Sequence, residues 1–315
     1  MAHNDKSQIT FSVQHLIERN TNRRKTQRIN RIVPLILKAI ASVSIVTTLG
    51  IIITLANETI MFFQKIPLYS FLTEKEWLPF FEDPKFGILP LICGTILVTA
   101  IAMVVAIPIG LGCAVFLSEY ASNGARKILK PLLELLAGIP TIVYGFFALT
   151  VVTPLLQRII PGLQFFNAIS PGIVIGFMMI PTIASLSEDA MRAVAKGIKE
   201  ASLALGATRF EMVKQVVFPS AFTGIMAAII LAASRAIGET MIVVIAAGST
   251  PNVSIDPTQS IQTLTAYIVQ VSLGDAPHGT ITYYSMYAVG ATLFMFTFFM
   301  NIISQYIMRR FRKVT

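Results

Sequence analysis

Charge is scarce in this chain. Only 13% of its 315 residues are Asp, Glu, Lys or Arg, while 54% are hydrophobic, a balance too apolar for an ordinary water-soluble domain. Cysteine is nearly absent. Cys93 and Cys113 stand in one apolar run, 20 positions apart, so a continuous helix holds them about 30 Å apart and excludes a disulfide. His3, His15 and His278 are dispersed, with no carboxylate or cysteine at ligand spacing, so solvated loop histidines are expected and no metal site. No serine-histidine, cysteine-histidine or paired-carboxylate constellation falls within one membrane depth, which disfavours an enzyme working through Glu119, Glu134 or Glu239. The chain also lacks the G-x-x-x-x-G-K-[ST] loop that cradles nucleotide phosphates, so it cannot hydrolyse ATP alone.

What is present is apolar sequence in membrane-length runs: approximately 34–56, 89–117, 132–156, 169–187, 221–247 and 282–307. Each can cross about 30 Å of hydrocarbon as a helix. The period-2 alternation of a membrane barrel is missing, so the expectation is an all-α, polytopic bundle of six transmembrane helices. The first run is too long for the apolar core of a signal peptide and reads as an uncleaved span. The net charge of +9 sets orientation and does not point to nucleic acid. Arg19, Arg23, Arg24, Lys25, Arg28 and Arg31 precede the first span, Arg126, Lys127 and Lys130 follow the second, Arg192, Lys196, Lys199, Arg209 and Lys214 follow the fourth, and Arg309, Arg310, Arg312 and Lys313 end the chain. The other side holds only Lys65, Lys75, Lys85 and Arg158. By the positive-inside rule both termini are cytoplasmic.

The simplest division is a basic tail, residues 1–33, mobile or lying on anionic lipid, and one transmembrane domain, residues 34–310. In the first outer segment Phe71, Trp77, Phe80 and Phe81 suit an interfacial helix at headgroup level. The long outer loop from Gly248 to Ile281 has no basic residue and reads as turns with a short amphipathic stretch around Ile261 to Val271. Glu134 is expected near the cytoplasmic entry of span three, capping it.

The segment between spans four and five, about 188–220, reads as helix, glycine turn, helix. Gly206 can take the positive φ that ends the first helix, Thr208 and Glu211 form a capping-box signature for the next, and Pro219 stops that helix before span five. A short helix of small side chains can seat in a partner's cleft; an ordinary helical hairpin is the equal alternative.

Arg235 and Glu239 lie within span five, four residues apart and so on one face of a continuous helix, near mid-membrane. Neither is expected to face lipid, since an arginine there costs about 2.5–3.5 kcal/mol. Two readings stay open together: an ion pair pinning span five to its neighbours, with Gly238 permitting close contact, or a guanidinium offered to a passing oxyanion with Glu239 compensating it in the empty path. Ser234 and Thr240 could add hydroxyls, unless they bond their own backbone. Gly138 and Pro140 in span three are bending points, either beside the pathway or purely architectural.

The loop spacing resembles the EAA loop of binding-protein-dependent ABC permeases: Glu-Ala-Ala, three residues, Gly, nine residues, then Ile-x-Leu-Pro. Glu200, Ala201, Gly206 and Pro219 match it, while Ser202, Val216 and Phe218 depart from it. Over roughly residues 71–312 the runs beginning Gly87-Ile-Leu-Pro, Ile107-Pro-Ile-Gly and Leu117-Ser-Glu-Tyr, with Glu134 to Gly145 and Arg235-Ala-Ile-Gly-Glu-Thr-Met241, resemble the phosphate-specific permeases, the PstC type more than its PstA-type paralogue. The resemblance implies a type I, MetI-like permease fold in a bacterial inner membrane. It implies inorganic phosphate as substrate, and as partners a paralogous PstA-type permease subunit, a dimer of ATPase subunits that binds the ATP and magnesium, and an extracytoplasmic phosphate-binding protein. The loop carrying Glu200, Ala201, Ser202, Gly206, Thr208, Glu211 and Pro219 would dock on the ATPase. A permease for sulfate or molybdate, or the PstA-type subunit itself, is the alternative.

Overall fold

The computed structural model describes the backbone of residues 4–311 and the side chains of residues 32–306 apart from Asp275. The mobility or lipid contact expected of the basic tail, residues 1–33, concerns side chains that, up to residue 31, lie outside that range. The chain divides into two compact units, Met1–Asn57 and Glu58–Thr315. The first holds most of α1 (Asn4–Phe63), a single helix that runs across residue 33 without a break and whose part Ile32–Phe63 is long and apolar enough to cross a membrane.

The second unit begins with the last residues of α1, followed by α2 (Leu68–Thr73) and a hairpin of β1 (Trp77–Leu78) and β2 (Lys85–Phe86), antiparallel with Trp77 opposite Phe86. Then come α3 (Leu89–Val115), a π turn at Phe116–Tyr120, α4 (Asn123–Ala137), α5 (Thr141–Phe147) and α6 (Thr153–Gln157). α7 (Ile169–Arg192), α8 (Lys196–Ala204), α9 (Arg209–Met212), α10 (Phe218–Ile237), α11 (Met241–Ala246), α12 (Leu264–Gln270) and α13 (Ile281–Phe311) complete it. Among the described residues five helices are long and apolar enough to cross a membrane, and the α4 to α6 stretch makes a sixth crossing if its two arms count as one. The all-α expectation of six spans is met in that form.

The arms of that third span meet at 84°, where Gly138 ends α4 and Pro140 leads α5. The Tyr144 hydroxyl donates to the Leu136 carbonyl at 2.7 Å, in the last turn of α4, where carbonyls lack the usual intrahelical donors. Glu134 therefore does not cap an incoming helix as expected. Ser122 does that, its Oγ accepting from the Ala125 N–H at 3.2 Å, and Glu134 lies in the last turn of α4.

Small residues let α7 press onto α3. A Cβ on Gly176 would lie 2.8 Å from the Ala102 carbonyl oxygen and 2.8 Å from Val105 Cβ, so only glycine permits this approach; between helices in lipid, such van der Waals contact is a main source of cohesion. α10 buries Ala228, Ala232 and Ala236, one residue per turn.

At the start of α3 two of the four rings expected at the headgroups, Phe71 and Trp77, are buried in a core, while Phe80 and Phe81 stay exposed. Trp77 is 1% exposed and meets Tyr267 edge-on at 4.8 Å, Phe86 at 5.8 Å and Phe71 at 6.4 Å. The segment forms one short helix, α2, and with the hairpin it folds Trp77 inward. Likewise Leu264, Thr265, Ala266 and Tyr267 of α12 are all buried, so this segment is part of the core and not an amphipathic surface stretch.

Candidate functional site

The loop after α7 folds as its local signals predict. α8 ends at Ala204, Gly206 takes φ +89°, and Thr208 opens α9 with a complete capping box: its Oγ1 accepts from the Glu211 N–H at 3.3 Å while the Glu211 carboxylate accepts from the Thr208 N–H at 2.8 Å. Pro219, however, does not stop the second helix. A π turn at Val213–Val217 leads into α10, making Arg209–Ile237 one 29-residue helical segment. The π turn resets the hydrogen-bond register, and Pro219 falls in the first turn of the resumed α-helix, where a missing N–H does little harm. Glu200, Ala201, Thr208, Glu211 and Pro219 are exposed and Ser202 is half-buried. At the tip the apolar side chains of Leu205 and Phe210 are 89% and 66% exposed.

Span five is broken where it was expected to run on. α10 ends at Ile237, and Gly238, Glu239 and Thr240 separate it from α11. The cause is tertiary: the Thr265 hydroxyl of α12 donates to the Glu239 carbonyl at 2.7 Å, taking the place of an intrahelical donor. Arg235 and Glu239 consequently do not share a helical face or form an ion pair. Arg235 is exposed; its Nη1 lies 3.5 Å from Thr182 Oγ1 on α7, and among the described residues no carboxylate reaches it. Glu239 is buried. The Thr240 hydroxyl turns back to the Gly238 carbonyl at 3.1 Å, and Ser234 Oγ is buried without a hydrogen-bond partner among the described residues. Of the four polar residues singled out in this span, only the guanidinium stands open.

Thr182 belongs to a polar stripe that the sequence reading passed over. Thr182, Ser185 and Glu188 recur every third residue on α7 and line a cavity of about 140 Å³ with Lys130 and Glu134 of α4. Glu188 is 0% exposed and faces Lys130 Nζ at 3.2 Å, Arg126 Nε at 3.4 Å and Arg192 Nη1 at 3.6 Å. Bases expected only to mark the cytoplasmic side thus surround a buried carboxylate. Cutting span four at residue 187 hid this; the regular spacing of polar residues in an apolar run was the available signal.

Residues 106–313 match the family described as "Binding-protein-dependent transport system inner membrane component". The chain belongs to that family, and is a multi-pass membrane subunit of an ABC transport system rather than an enzyme. Among its relatives, a probable ABC transporter permease protein, YqgH, of Bacillus subtilis is 36% identical over 78% of this chain and 79% of that protein. The phosphate transport system permease protein PstC of Mesorhizobium japonicum is 34% identical over 77% of this chain and 79% of that protein, and the Haemophilus influenzae PstC 36% identical over 61% and 67%. Solved structures share the fold: a chain of a bacterial alginate ABC transporter, in complex with an alginate pentasaccharide-bound periplasmic protein, superposes with a TM-score of 0.62 at 16% identity over 87% of this chain and 94% of that one. A chain of the inward-facing MetNI methionine ABC transporter gives 0.53 at 16% identity over 71% and 94%.

Proposed function

We propose that this chain is one of two permease subunits of an ATP-driven importer and translocates inorganic phosphate into the cytoplasm. The observation that carries the reading is Arg235: an exposed guanidinium on an apolar transmembrane helix, with a hydroxyl beside it and, among the described residues, no carboxylate in reach. Facing lipid, that group would be costly. Facing a seam with a paralogous PstA-type subunit, it offers a planar set of donors to an oxyanion, the geometry arginine suits best. The similarity to phosphate permeases supports phosphate as that anion. Glu239, Thr240 and Ser234 bear on this path through the break at Gly238, which lets the segment move relative to α10. Gly138 and Pro140 are a second hinge.

The exposed loop lies on the cytoplasmic side, with both termini. Its apolar tip at Leu205 and Phe210 is the kind of surface an ATPase cleft would cover. Glu200, Ala201 and Ser202 lie on the docking helix, Gly206 sets its exit, Thr208 and Glu211 fix the next helix, and Pro219 sits where that helix becomes α10, so a push on the loop moves the segment bearing Arg235. ATP and magnesium belong to the ATPase dimer, and an extracytoplasmic phosphate-binding protein delivers the anion.

The test is uptake of radioactive phosphate by vesicles holding all subunits. Uptake is expected to require ATP, to be competed by phosphate and not by sulfate or molybdate, and to fall about 10- to 100-fold in Arg235→Ala, the loss of one hydrogen bond to a charged group. Equal competition by sulfate would assign the chain to another oxyanion; undiminished uptake by Arg235→Ala would remove that residue from the path.

A further inference from the structure

Glu188 is fully buried, and its carboxylate is held by three cations on α4 and on its own helix, Lys130 the nearest at 3.2 Å. A buried carboxylate is tolerable only while such partners stay, so their arrangement must be kept or exchanged as a set.

The contacts continue in both directions. Arg126 also donates to the carbonyls of Leu117 and Ser118, at the π turn that ends α3. The next residue in that turn, Glu119, is paired at 2.6 Å with Lys199 of α8, whose Nζ also donates to the Met191 carbonyl near the end of α7 at 3.1 Å. Lys199 directly precedes Glu200 on the exposed loop. In the other direction Glu188 shares its cavity with Thr182, the hydrogen-bond partner of Arg235. Contacts thus run from the loop toward the exposed arginine, with two steps carried along the chain itself: Lys199 pairs with Glu119, Arg126 holds the carbonyls of the two residues before Glu119 and faces Glu188, and Thr182 lies on the same helix as Glu188.

We propose that Glu188 is a positioning residue of the transport cycle, a buried charge clamp that fastens α4 to α7 while Lys199 is seated on Glu119 and frees α4 when the loop is drawn away, opening the cavity beside Thr182. The inference rests on the permease reading above. A charge exchange supplies the direct test of coupling between these contacts.

In vesicles holding the full complex, phosphate uptake and ATP hydrolysis are measured in parallel for wild type, Glu188→Gln, Glu119→Lys, Lys199→Glu and the exchanged pair Glu119→Lys/Lys199→Glu. Glu188→Gln is expected to lower maximal uptake by about tenfold or more, while the half-saturating phosphate concentration moves by less than about twofold and hydrolysis no longer responds to loaded binding protein. Each single charge reversal is expected to lower the phosphate moved per ATP, and the exchanged pair to recover at least about half of that loss. Wild-type coupling in Glu188→Gln would overturn the proposal. So would a raised half-saturation with unchanged maximal uptake, which would make the residue part of anion binding. Should Glu188→Gln fail to assemble, an exchanged pair no better than its single variants overturns the clamp by itself. Failure of the phosphate reading is separate, since wild type would then move no phosphate at all.

Discussion

The two ends of α3, about 40 Å apart along the helix, are closed by opposite means. At its start Trp77, Phe86, Phe71 and Tyr267 pack edge-on in a buried aromatic cluster. At its end Glu188 faces three cations and Lys199 reaches Glu119. Packing between rings is short-ranged, lost once a gap opens, and indifferent to ionic state, so the aromatic end is suited to stay as it is. A buried charge pair is favourable with its partner and strongly unfavourable without it, so the charged end is suited to occupy one of two arrangements. The exposed loop and the open arginine both connect to that second end.

Breaking the aromatic end should have the largest effect on stability. Trp77→Ala is expected to lose about 3–5 kcal/mol, with little dependence on salt, measured by unfolding of the purified protein in detergent; a loss under about 1 kcal/mol would show that the ring cluster is not a structural anchor. Removing a cation at the other end should cost less. Lys199→Met, which leaves Glu119 without this cation, is expected to lose about 1–3 kcal/mol, measured by the same unfolding experiment. A loss under about 0.5 kcal/mol would contradict the charge-clamp picture.

Smaller effects belong to the loops. Thr208→Ala removes the cap of α9 and is expected to lose about 1 kcal/mol, seen as faster amide exchange over residues 208–217; no change there would mean that packing alone fixes the second helix. In the long outer loop Asp256 accepts from the Thr258 hydroxyl at 2.7 Å, the Thr258 N–H at 3.0 Å and the Gln259 amide at 3.1 Å. The Thr258 bonds, first among these, hold its carboxyl below the usual carboxylate range. A carboxyl lowered in the folded state stabilises fully above its unfolded value and stops doing so as pH falls through the lowered one. The loop is therefore expected to loosen only in that acid window, with Thr258→Val weakening the dependence; a loop insensitive to acid would contradict this.

How far the sequence foretold these regions depends on the range of the forces involved. The capping box at Thr208 and Glu211, the turn at Gly206 and the bend between Gly138 and Pro140 were legible because each is set by residues a few positions apart. The break at Gly238 was not: it depends on a hydroxyl from Thr265, distant in sequence, and the apolar run continues through it. Trp77 misled because rings before a span suit either headgroups or a local core, and the choice rests on Tyr267. Glu188 was missed for a related reason, since an acid beside a basic loop resembles a solvated end until α4 folds across it. The spans themselves were legible throughout, as hydrocarbon length is a constraint on every one of them.

The central claim is that Arg235 stands beside an anion route. A cryo-electron microscopy structure of the assembled complex with phosphate, captured during ATP turnover, tests it most directly. The account predicts tetrahedral density within hydrogen-bond distance of the Arg235 guanidinium, in a cavity between the two permease subunits. A guanidinium packed against the neighbouring subunit's helix, with no cavity beside it in any captured state, would contradict it.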